Sequence, residues 1–412
     1  RSRRTRWVFL AAAGAGIFSF GGEWRIMTVA FEKRRRNLYD VAVAGGGPVG
    51  CYLALCLARR GRRVFVAEEH RRIGLPARCT GLIGEEAFAR FDLPEEATER
   101  LIAAVNVYGP RGTAVRYTAP EPFARVVNRP RFDAALAERA RAAGAEFALG
   151  QRVTAVETGP DGCRLALSSG GSVWAKCAVL ATGGRSPLPA ALGLGRPPGF
   201  IFGAQVETAA EGVEEVEVYV GRDLCPGSFA WVVPAAPGRA RIGLTAYDRP
   251  AERLAAFLAD ARIKKRLPAN PPRPAVAPLP LGPLPATAAD RLLVVGEAAG
   301  QIKTTTGGGI YYGLLGAEIA AAVLNEALQD GDPGKKRLGA YERRWRAALG
   351  REIGTGLALR RWAARLDDGA IAFFLELAGR NGIMEAARRP GAFDWHAPVI
   401  KKILRARPFL NF

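Results

Sequence analysis

The 412-residue chain has two histidines, His70 and His396, far apart in sequence. That is too few and too scattered for a metal site, so no metal is expected. Neither stands in a setting that marks an essential base. Six cysteines (Cys51, Cys56, Cys79, Cys163, Cys177 and Cys225) contain no CxxC pair. A zinc ribbon or a disulfide framework is thereby disfavoured, and the thiols read as reduced groups of a cytoplasmic protein. The apolar run from Trp7 to Phe20 is shorter than the ~20 residues of a membrane helix. Acidic residues are also scarce, with 39 Asp and Glu against 59 Lys and Arg, a net charge of +20. Such a surface suits acidic partners: nucleic acid, an anionic membrane face, a phosphorylated lipid or an acidic redox protein. No nucleic-acid-binding motif accompanies the charge, so a nucleic-acid partner is not expected. Arginine used simply for solubility explains the balance equally well.

The chain opens RSRRTRWVFLAAAGAGIFSFGGEW, a basic stretch followed by an apolar one. This is the outline of a signal peptide, and Ser2-Arg3-Arg4 faintly echoes a twin-arginine signal. No small-x-small cleavage site follows, and Met27 opens a natural start. Residues 1–37 are therefore expected to be an extension. Within it, residues 1–26 read as a misassigned gene start, with export as the second reading.

What the sequence does have is glycine in significant places. LYDVAVAGGGPVGCYLALCLARRGRRVFVAEE (38–69) begins with a short apolar run, Val41–Ala44, that reads as a buried strand. Gly45-Gly46-Gly47-Pro48-Val49-Gly50 follows, then a helical stretch to Arg60 with Gly61 as its expected C-cap. Arg63–Ala67 is a second strand, closed by Glu68. This is a complete dinucleotide-binding βαβ unit. Gly45 makes the tight turn, Gly47 lets the backbone approach a pyrophosphate, and Gly50 allows close helix–strand packing. Glu68 stands where a carboxylate can bind ribose hydroxyls.

A second strand–loop–helix unit lies far along the chain. In RLLVVGEAAGQIKTTTGGGIYYGLLGAEIAAAVLNEAL (291–328), the strand Leu292–Val295 runs into a Thr/Gly loop and then a helix. Ile310, Leu314, Ile319, Val323 and Leu324 fall near one face of that helix. Glycines ahead of a helix start let the backbone approach a guest closely, and the unpaired N–H groups favour an anion or an electron-rich oxygen. Lys303 in this loop reads either as a contact for an anionic head group or as a solvated lysine. No second GxGxxG exists for a separate nicotinamide domain.

Four segments, in order, make the chain resemble the geranylgeranyl reductase family within the aromatic-hydroxylase-like FAD superfamily. They are GLPARCTGLIG (74–84), NRPRFDAALAERA (128–140), PGSFAWVVP (226–234) and the GGGIYYG of the second loop. The resemblance runs from about Leu38 to the C-terminus. It implies an α/β fold: a Rossmann-like FAD-binding domain, an antiparallel-sheet substrate domain and a helical C-terminal region. The expected boundaries are 38–190 and 285–330 for the FAD domain, with substrate-domain strands near 86–121. The substrate sheet then takes 191–284 and the helical region 331–412. It further implies that the first unit holds the ADP part of FAD and the second meets the ribityl chain and flavin. The helix start at Gly308, Gly309 and Ile310 would then face the pyrimidine edge, where a helix dipole stabilises negative charge. Cofactor contacts carried over on matching positions are Val49, Glu68, Cys79, Thr80, Arg129, Val153, Glu297, Gly309 and Ile310. Two positions depart from the family pattern. Glu297 stands for the usual Asp, one methylene longer, and Phe229 for the usual Tyr, which removes a hydroxyl.

Three side chains are singled out for chemistry. Cys79 follows Arg78, a cationic neighbour that favours thiolate, and reads either as a group near the flavin or as a small spacer. Trp231 alternates with Phe229 and Val233 along a strand, so the three share one face and either line an apolar slot or pack a sheet. Tyr311 opens the second helix and is weighed as a proton donor against a core role. A Cys79–Cys225 redox pair is a weaker reading, since nothing in the sequence sets their separation. The expected activity is saturation of isoprenoid double bonds by hydride from reduced flavin, on an isoprenoid or prenylated lipid substrate. Electrons would come from NAD(P)H or from a carrier such as ferredoxin, which a basic surface suits. The mixed basic and apolar stretch RRWAARLDDGAIAFFLELAG (360–379) would line a lipid tunnel, rest on the inner face of the membrane or pack as a core helix. A flavin-dependent monooxygenase or halogenase is the alternative, since the same fold serves both.

Overall fold

A computed structural model of the chain describes residues 17–20, 23–26, 38–380, 391–398 and 400. Most of the N-terminal extension lies outside the described residues. What is described there is the antiparallel pair Ile17–Phe20 with Glu23–Ile26. Residues 381–390 and 401–412 of the C-terminal region also lie outside them.

The strand Tyr39–Ala44 organises the first sheet. Val41, Ala42, Val43 and Ala44 are fully buried because the strand is covered on both faces, which is why it reads as an unbroken apolar run. It runs parallel to Val64–Glu68 on one side and to Ser172–Leu180 on the other. Glu146–Leu149 extends the sheet beyond Val64–Glu68. The far edge of Ser172–Leu180 is shared by two partners. Its last residues, Ala178–Leu180, pair in parallel with Leu292–Val294, while its earlier residues pair antiparallel with Gly162–Leu167. The parallel core therefore runs, in chain order of its strands, third, second, first, fourth, fifth. The order reverses between Tyr39–Ala44 and Ser172–Leu180, and ligands bind at the carboxyl ends of strands at such a reversal.

The helix Pro48–Ala58 starts with Gly47 as N-cap and Pro48 in its first turn, the position where proline loses nothing. It ends at Arg59, so Gly61, at φ +75°, lies two residues beyond the cap rather than on it. Arg129–Ala142 is capped by Asn128, whose side chain accepts from Arg131 N–H at 3.1 Å. These helices and Ile310–Gln329 bury one face of the sheet through Leu53, Leu57, Phe132, Leu136, Leu314 and Val323. The meander of Val153–Gly159 and Gly162–Leu167 helps cover the other face.

A second sheet of seven strands runs Ala275–Pro280, Phe200–Ala209, Arg239–Ala246, Ala230–Pro234, Val216–Tyr219, Ala104–Tyr108, Ala114–Thr118. It is antiparallel except where Val216–Tyr219 lies parallel to Ala104–Tyr108. The proline-rich stretch 268–285 is more than a connector. Its centre is an edge strand of this sheet, where the prolines at 278 and 280 leave no interior ladder bond unmade. A three-stranded sheet, Leu82–Gly84, Ala124–Val127 and Thr98–Ile102, sits beside it.

Lys335–Ala363 and Asp368–Arg380 are the long C-terminal helices. The first buries Leu338, Tyr341, Trp345, Leu349, Ile353, Gly356 and Arg360, a stripe at helical spacing that ends on a charge. Among the described residues, no helix is long and apolar enough to cross a membrane.

Candidate active site at the strand-order reversal

The loop after Tyr39–Ala44 and the loop after Ser172–Leu180 meet at the reversal. Gly45 has φ +107°, and a Cβ there would lie 2.3 Å from Ala181 O. A Cβ on Gly50 would lie 2.0 Å from Gly45 O, so the helix rests on its own preceding turn. Gly47 differs from both. Its φ is −71°, and a Cβ would meet nothing within 4 Å. It opens a helix whose N-cap has no side-chain partner, leaving backbone N–H groups to face that open space.

Glu68 is buried at the end of the second strand. Its Oε2 accepts from Gly46 N–H at 2.7 Å, and its Oε1 accepts from His70 N–H at 2.9 Å and contacts His70 Nδ1 at 2.6 Å. The carboxylate therefore fixes the glycine turn. Gln151 N–H donates to Glu68 O at 2.8 Å, which brings the start of the third crossover to this corner. Val153, two residues on, is buried among Val156 and Leu165.

Val49 joins the two glycine units. A Cβ on Gly313 would lie 2.5 Å from Val49 Cγ2, and one on Gly296 3.2 Å from Val49 Cγ1. Missing side chains at both positions let the first helix dock against the second loop and helix. Glu297 follows Gly296 and is half-buried. Burial lifts its carboxyl above the ordinary range, with the charge of Arg129 and the N–H of Gly184 opposing. A Cβ on Gly309 would stand 3.3 Å from Glu297 Oε1. Gly309 is the uncapped N-cap of Ile310–Gln329. Gly184, Arg129, Glu297, Gly309 and Ile310 are thus drawn into one region.

Arg129 is bound through Nε and Nη2 to Asp133 at 3.0 and 2.8 Å, and also bonds the Cys79 side chain. Burial works against its charge, but Asp133 and Cys79 outweigh that and its pKa is raised. Cys79 Sγ accepts from Gly81 N–H at 3.4 Å. Thr80 O is held by Arg241 Nη1 at 2.8 Å. Arg241 is 3% exposed and also donates to Val127 O, Glu99 and Glu207. Sequence reading missed it. Alternation along Arg239–Ala246 puts it on the side of Arg239, Gly243 and Thr245, opposite Ala240, Ile242 and Leu244, where an arginine reads as solvated.

The Thr/Gly loop is gripped from behind. Lys303 is buried, donates to Asp394 Oδ1 at 2.8 Å and to Phe393 O at 3.1 Å, and lies over the Phe393 ring. It is neither solvated nor free for a substrate head group, because Asp394 takes its charge; both readings weighed for it are corrected. Thr305 Oγ1 lies 2.5 Å from His396 Nδ1, while His396 Nε2 lies 2.9 Å from Phe393 O. The carbonyl can only accept, so Nε2 carries the proton and Nδ1 accepts from the threonine. Burial and the nearby Lys303 charge push the imidazole down to about 4. The interval of 91 residues between these partners hid the arrangement from sequence reading.

Trp231 is set in the seven-stranded sheet, its Nε1–H donating to Gln205 Oε1 at 3.3 Å. Its ring covers Gly243, where a Cβ would be 2.5 Å from Cζ2. Phe229, Trp231 and Val233 belong to one apolar cluster with Ile102, Val126 and Val216. Tyr311 is buried. Its hydroxyl donates to Glu86 Oε1 at 2.6 Å, and its ring meets Phe91 and Trp395 edge-on. Cys225 is buried, burial pushes its thiol up to about 12, and it and Cys79 are both free thiols.

These residues suit a dinucleotide with hydroxyl-rich linkers. An open cradle lies at Gly47 and uncapped helix starts at Gly47 and Gly309. The buried Thr182 Oγ1 in the neighbouring loop has no partner among the described residues, and Glu297 offers acceptors in the same region.

Comparison with known proteins agrees with this geometry. A family model described as lycopene cyclase protein matches residues 40–376. Digeranylgeranylglycerophospholipid reductase 2 of Methanothermobacter thermautotrophicus is 33% identical over 355 residues, 80% of this chain and 89% of that protein. The digeranylgeranylglycerophospholipid reductase of Methanocaldococcus jannaschii is 31% identical over 84% of this chain and 92% of its own length. Among solved structures, a geranylgeranyl bacteriochlorophyll reductase-like protein from Thermoplasma acidophilum superposes with a TM-score of 0.79 at 21% identity. It covers 89% of this chain and 99% of that one. p-Nitrophenol 4-monooxygenase from Pseudomonas putida superposes at 0.69 with 19% identity, covering 90% and 99%. These two likenesses establish the fold.

Proposed function

The chain belongs to the geranylgeranyl reductase family, and from that premise we propose that it is an FAD-dependent reductase that saturates isoprenoid double bonds. The observation that carries the reading is the 33% identity to a digeranylgeranylglycerophospholipid reductase over 80% of this chain. The substrate class is then a prenylated lipid or prenyl diphosphate. The monooxygenase and halogenase alternative has only likeness of fold behind it.

FAD, when bound, supplies the hydride and the two-electron store. The chain's own residues do the rest. Backbone N–H groups at Gly47 and Val49 hold the pyrophosphate, and the Glu68 carboxylate takes the ribose. Glu297 would accept from the ribityl hydroxyls, and Arg129 balances that half-buried carboxylate. The uncapped start of Ile310–Gln329 favours negative charge beside it. Trp231 and Phe229 offer an apolar wall that excludes water from an unactivated alkene, where positioning must supply much of the rate. Cys79 stands beside Arg129 at the edge of this region. The Tyr311 proton is already committed to Glu86, so we assign Tyr311 an anchoring role for its helix and leave the proton to solvent.

We extend the reading to the donor and the membrane. Electrons arrive from NAD(P)H or an acidic carrier such as ferredoxin, drawn by the basic surface. Trp362 and Phe373, 38% and 48% exposed, flank Phe374 and lie near the exposed Arg361 and Arg365. An anionic membrane face would receive that patch peripherally, at the cytoplasmic side.

The test is anaerobic. The FAD-loaded protein is reduced with dithionite and given a geranylgeranylated glycerophospholipid. Flavin reoxidation with a mass gain of two hydrogens per bond is expected. No reoxidation by any prenyl substrate, with fast oxygen consumption and an oxygenated product, overturns the reading in favour of the monooxygenase.

A further inference from the structure

Arg360 is 5% exposed and, among the described residues, forms no ion pair. Burying a cation without a carboxylate is costly, and burial does lower the pKa of this guanidinium. It occupies the last position of the buried stripe on Lys335–Ala363, where spacing calls for an apolar residue. Besides Tyr247, which its side chain also meets, its N–H groups go to two separate segments. Nε donates to Thr304 O and Nη2 to Thr305 O, each at 2.8 Å. Nη1 donates to Gly227 O and Ser228 Oγ, each at 3.3 Å. The first pair lies in the loop ahead of Ile310–Gln329, and the second in the turn that leads into the strand of Trp231.

The rest of the helix face supports the same grip. Thr304 Oγ1 donates to Ile353 O at 2.8 Å, and a Cβ on Gly356 would lie 2.4 Å from Thr304 Oγ1. Gly227, at φ +66°, packs so closely that its Cβ would lie 2.6 Å from Ala364 Cβ. Both segments are thus seated on one helical end. An apolar side chain would fill this place at less electrostatic cost, but only a planar fork of donors reaches both sets of acceptors at once.

We propose that Arg360 is a positioning residue that couples the substrate-side turn Gly227–Ser228 to the cofactor-side loop Thr304–Thr305. This rests on the reductase reading only for which ligand lies on which side. Displacement of the turn by an entering prenyl chain is carried to the loop, and ordering of the loop by FAD tightens the turn.

The test compares full-length wild type, R360K and R360M, by FAD titration without substrate, hydrogen–deuterium exchange, and steady-state reduction of a geranylgeranylated lipid. R360M is expected to weaken FAD by about tenfold. It should also speed exchange by about tenfold at both 225–229 and 303–307, with the rest of the seven-stranded sheet unchanged. R360K keeps the charge but reaches one segment at a time. It is expected to restore FAD affinity to within about threefold while 225–229 stays loose and KM rises more than kcat falls. Faster exchange confined to one segment, or FAD affinity within about twofold of wild type in folded R360M, overturns the proposal. If R360M does not fold, R360K decides alone: equal protection of both segments with an unchanged KM overturns it. If wild type fails to reduce any prenyl lipid, the reductase reading falls, while the titration and the exchange still decide Arg360.

Discussion

Gly47 and Gly50 belong to one motif, and the structure separates what each does. Gly50→Ala would put a methyl 2.0 Å from Gly45 O and 3.2 Å from Ala181 Cβ. The obstacle is backbone, so the helix Pro48–Ala58 must lift by about 1.4 Å to reach ordinary contact. Overpacking of that kind costs about 1–3 kcal/mol. Gly47→Ala meets nothing within 4 Å at φ −71°. Alanine is a poorer N-cap than glycine by about 0.5–1 kcal/mol, and the stiffer unfolded chain returns about 0.4–1 kcal/mol. Stability should therefore change by less than about 0.5 kcal/mol. Its methyl would stand in the open cradle, and FAD should weaken about 10–100-fold, or about 1.4–2.8 kcal/mol. Thermal melting of the apoprotein and a flavin fluorescence titration separate the two effects. G50A is expected to lose both stability and cofactor, and G47A the cofactor alone. A G47A protein that binds FAD as wild type does would refute the claim that the pyrophosphate approaches this backbone. A G50A protein with unchanged melting would refute the helix–turn contact.

Glu297→Gln should weaken FAD yet leave the apoprotein at least as stable at pH 7. The folded carboxyl is raised by burial, so its charged form opposes folding: stability falls as pH rises from 4.5 through the raised value, then stays level. Melting of both forms at pH 4 and pH 7 checks this, and a wild-type advantage at pH 7 would contradict it. His396, pushed down to about 4, works in the opposite sense. The unfolded chain takes up this proton near 6.5 and the folded chain only near 4, so stability drains away as pH falls through that window, by on the order of 3 kcal/mol. Urea midpoints of wild type and His396→Gln at pH 7 and 4.5 measure it, and parallel losses in both proteins would exclude His396 as the source. Arg241→Met strips a buried cation from Glu99 and Glu207 and frees Thr80 O and Val127 O. A loss of about 3–5 kcal/mol is expected in denaturant unfolding, partly recovered by adding Glu99→Gln; a loss below about 1 kcal/mol would show the network to be solvated.

The parts that sequence reading reached were those encoded over short distances. The βαβ unit lies within 38–69, so strand, glycines, helix and acid could be read together, and the structure sets them at the strand-order reversal. The Thr/Gly loop was legible for the same reason. What escaped were groups whose partners are remote: Lys303 with Asp394, Thr305 with His396, Arg241 with Glu99, Arg360 with Thr304. A lysine in a polar loop looks solvated until the chain that brings its carboxylate is in place. Arg360 left a local trace, a charge on a face that periodicity reserves for apolar residues, whereas alternation puts Arg241 on the side of Arg239 and Thr245, where a polar group is ordinary. Edge pairing of the proline-rich stretch was masked by composition, since prolines deplete a ladder only in its interior.

The shared edge of Ser172–Leu180 has a consequence for synthesis. As the chain leaves the ribosome, its first four parallel strands can assemble, with Gly162–Leu167 protecting the start of the fourth. The last residues of that strand, Ala178–Leu180, wait for Leu292–Val294, and five of the seven strands of the second sheet must be threaded out before they arrive. During that interval a short apolar edge stands open beside the nascent cofactor crevice, the kind of edge that recruits neighbouring strands. A chaperone that holds the chain until residue 294 has emerged would keep that edge from neighbouring strands.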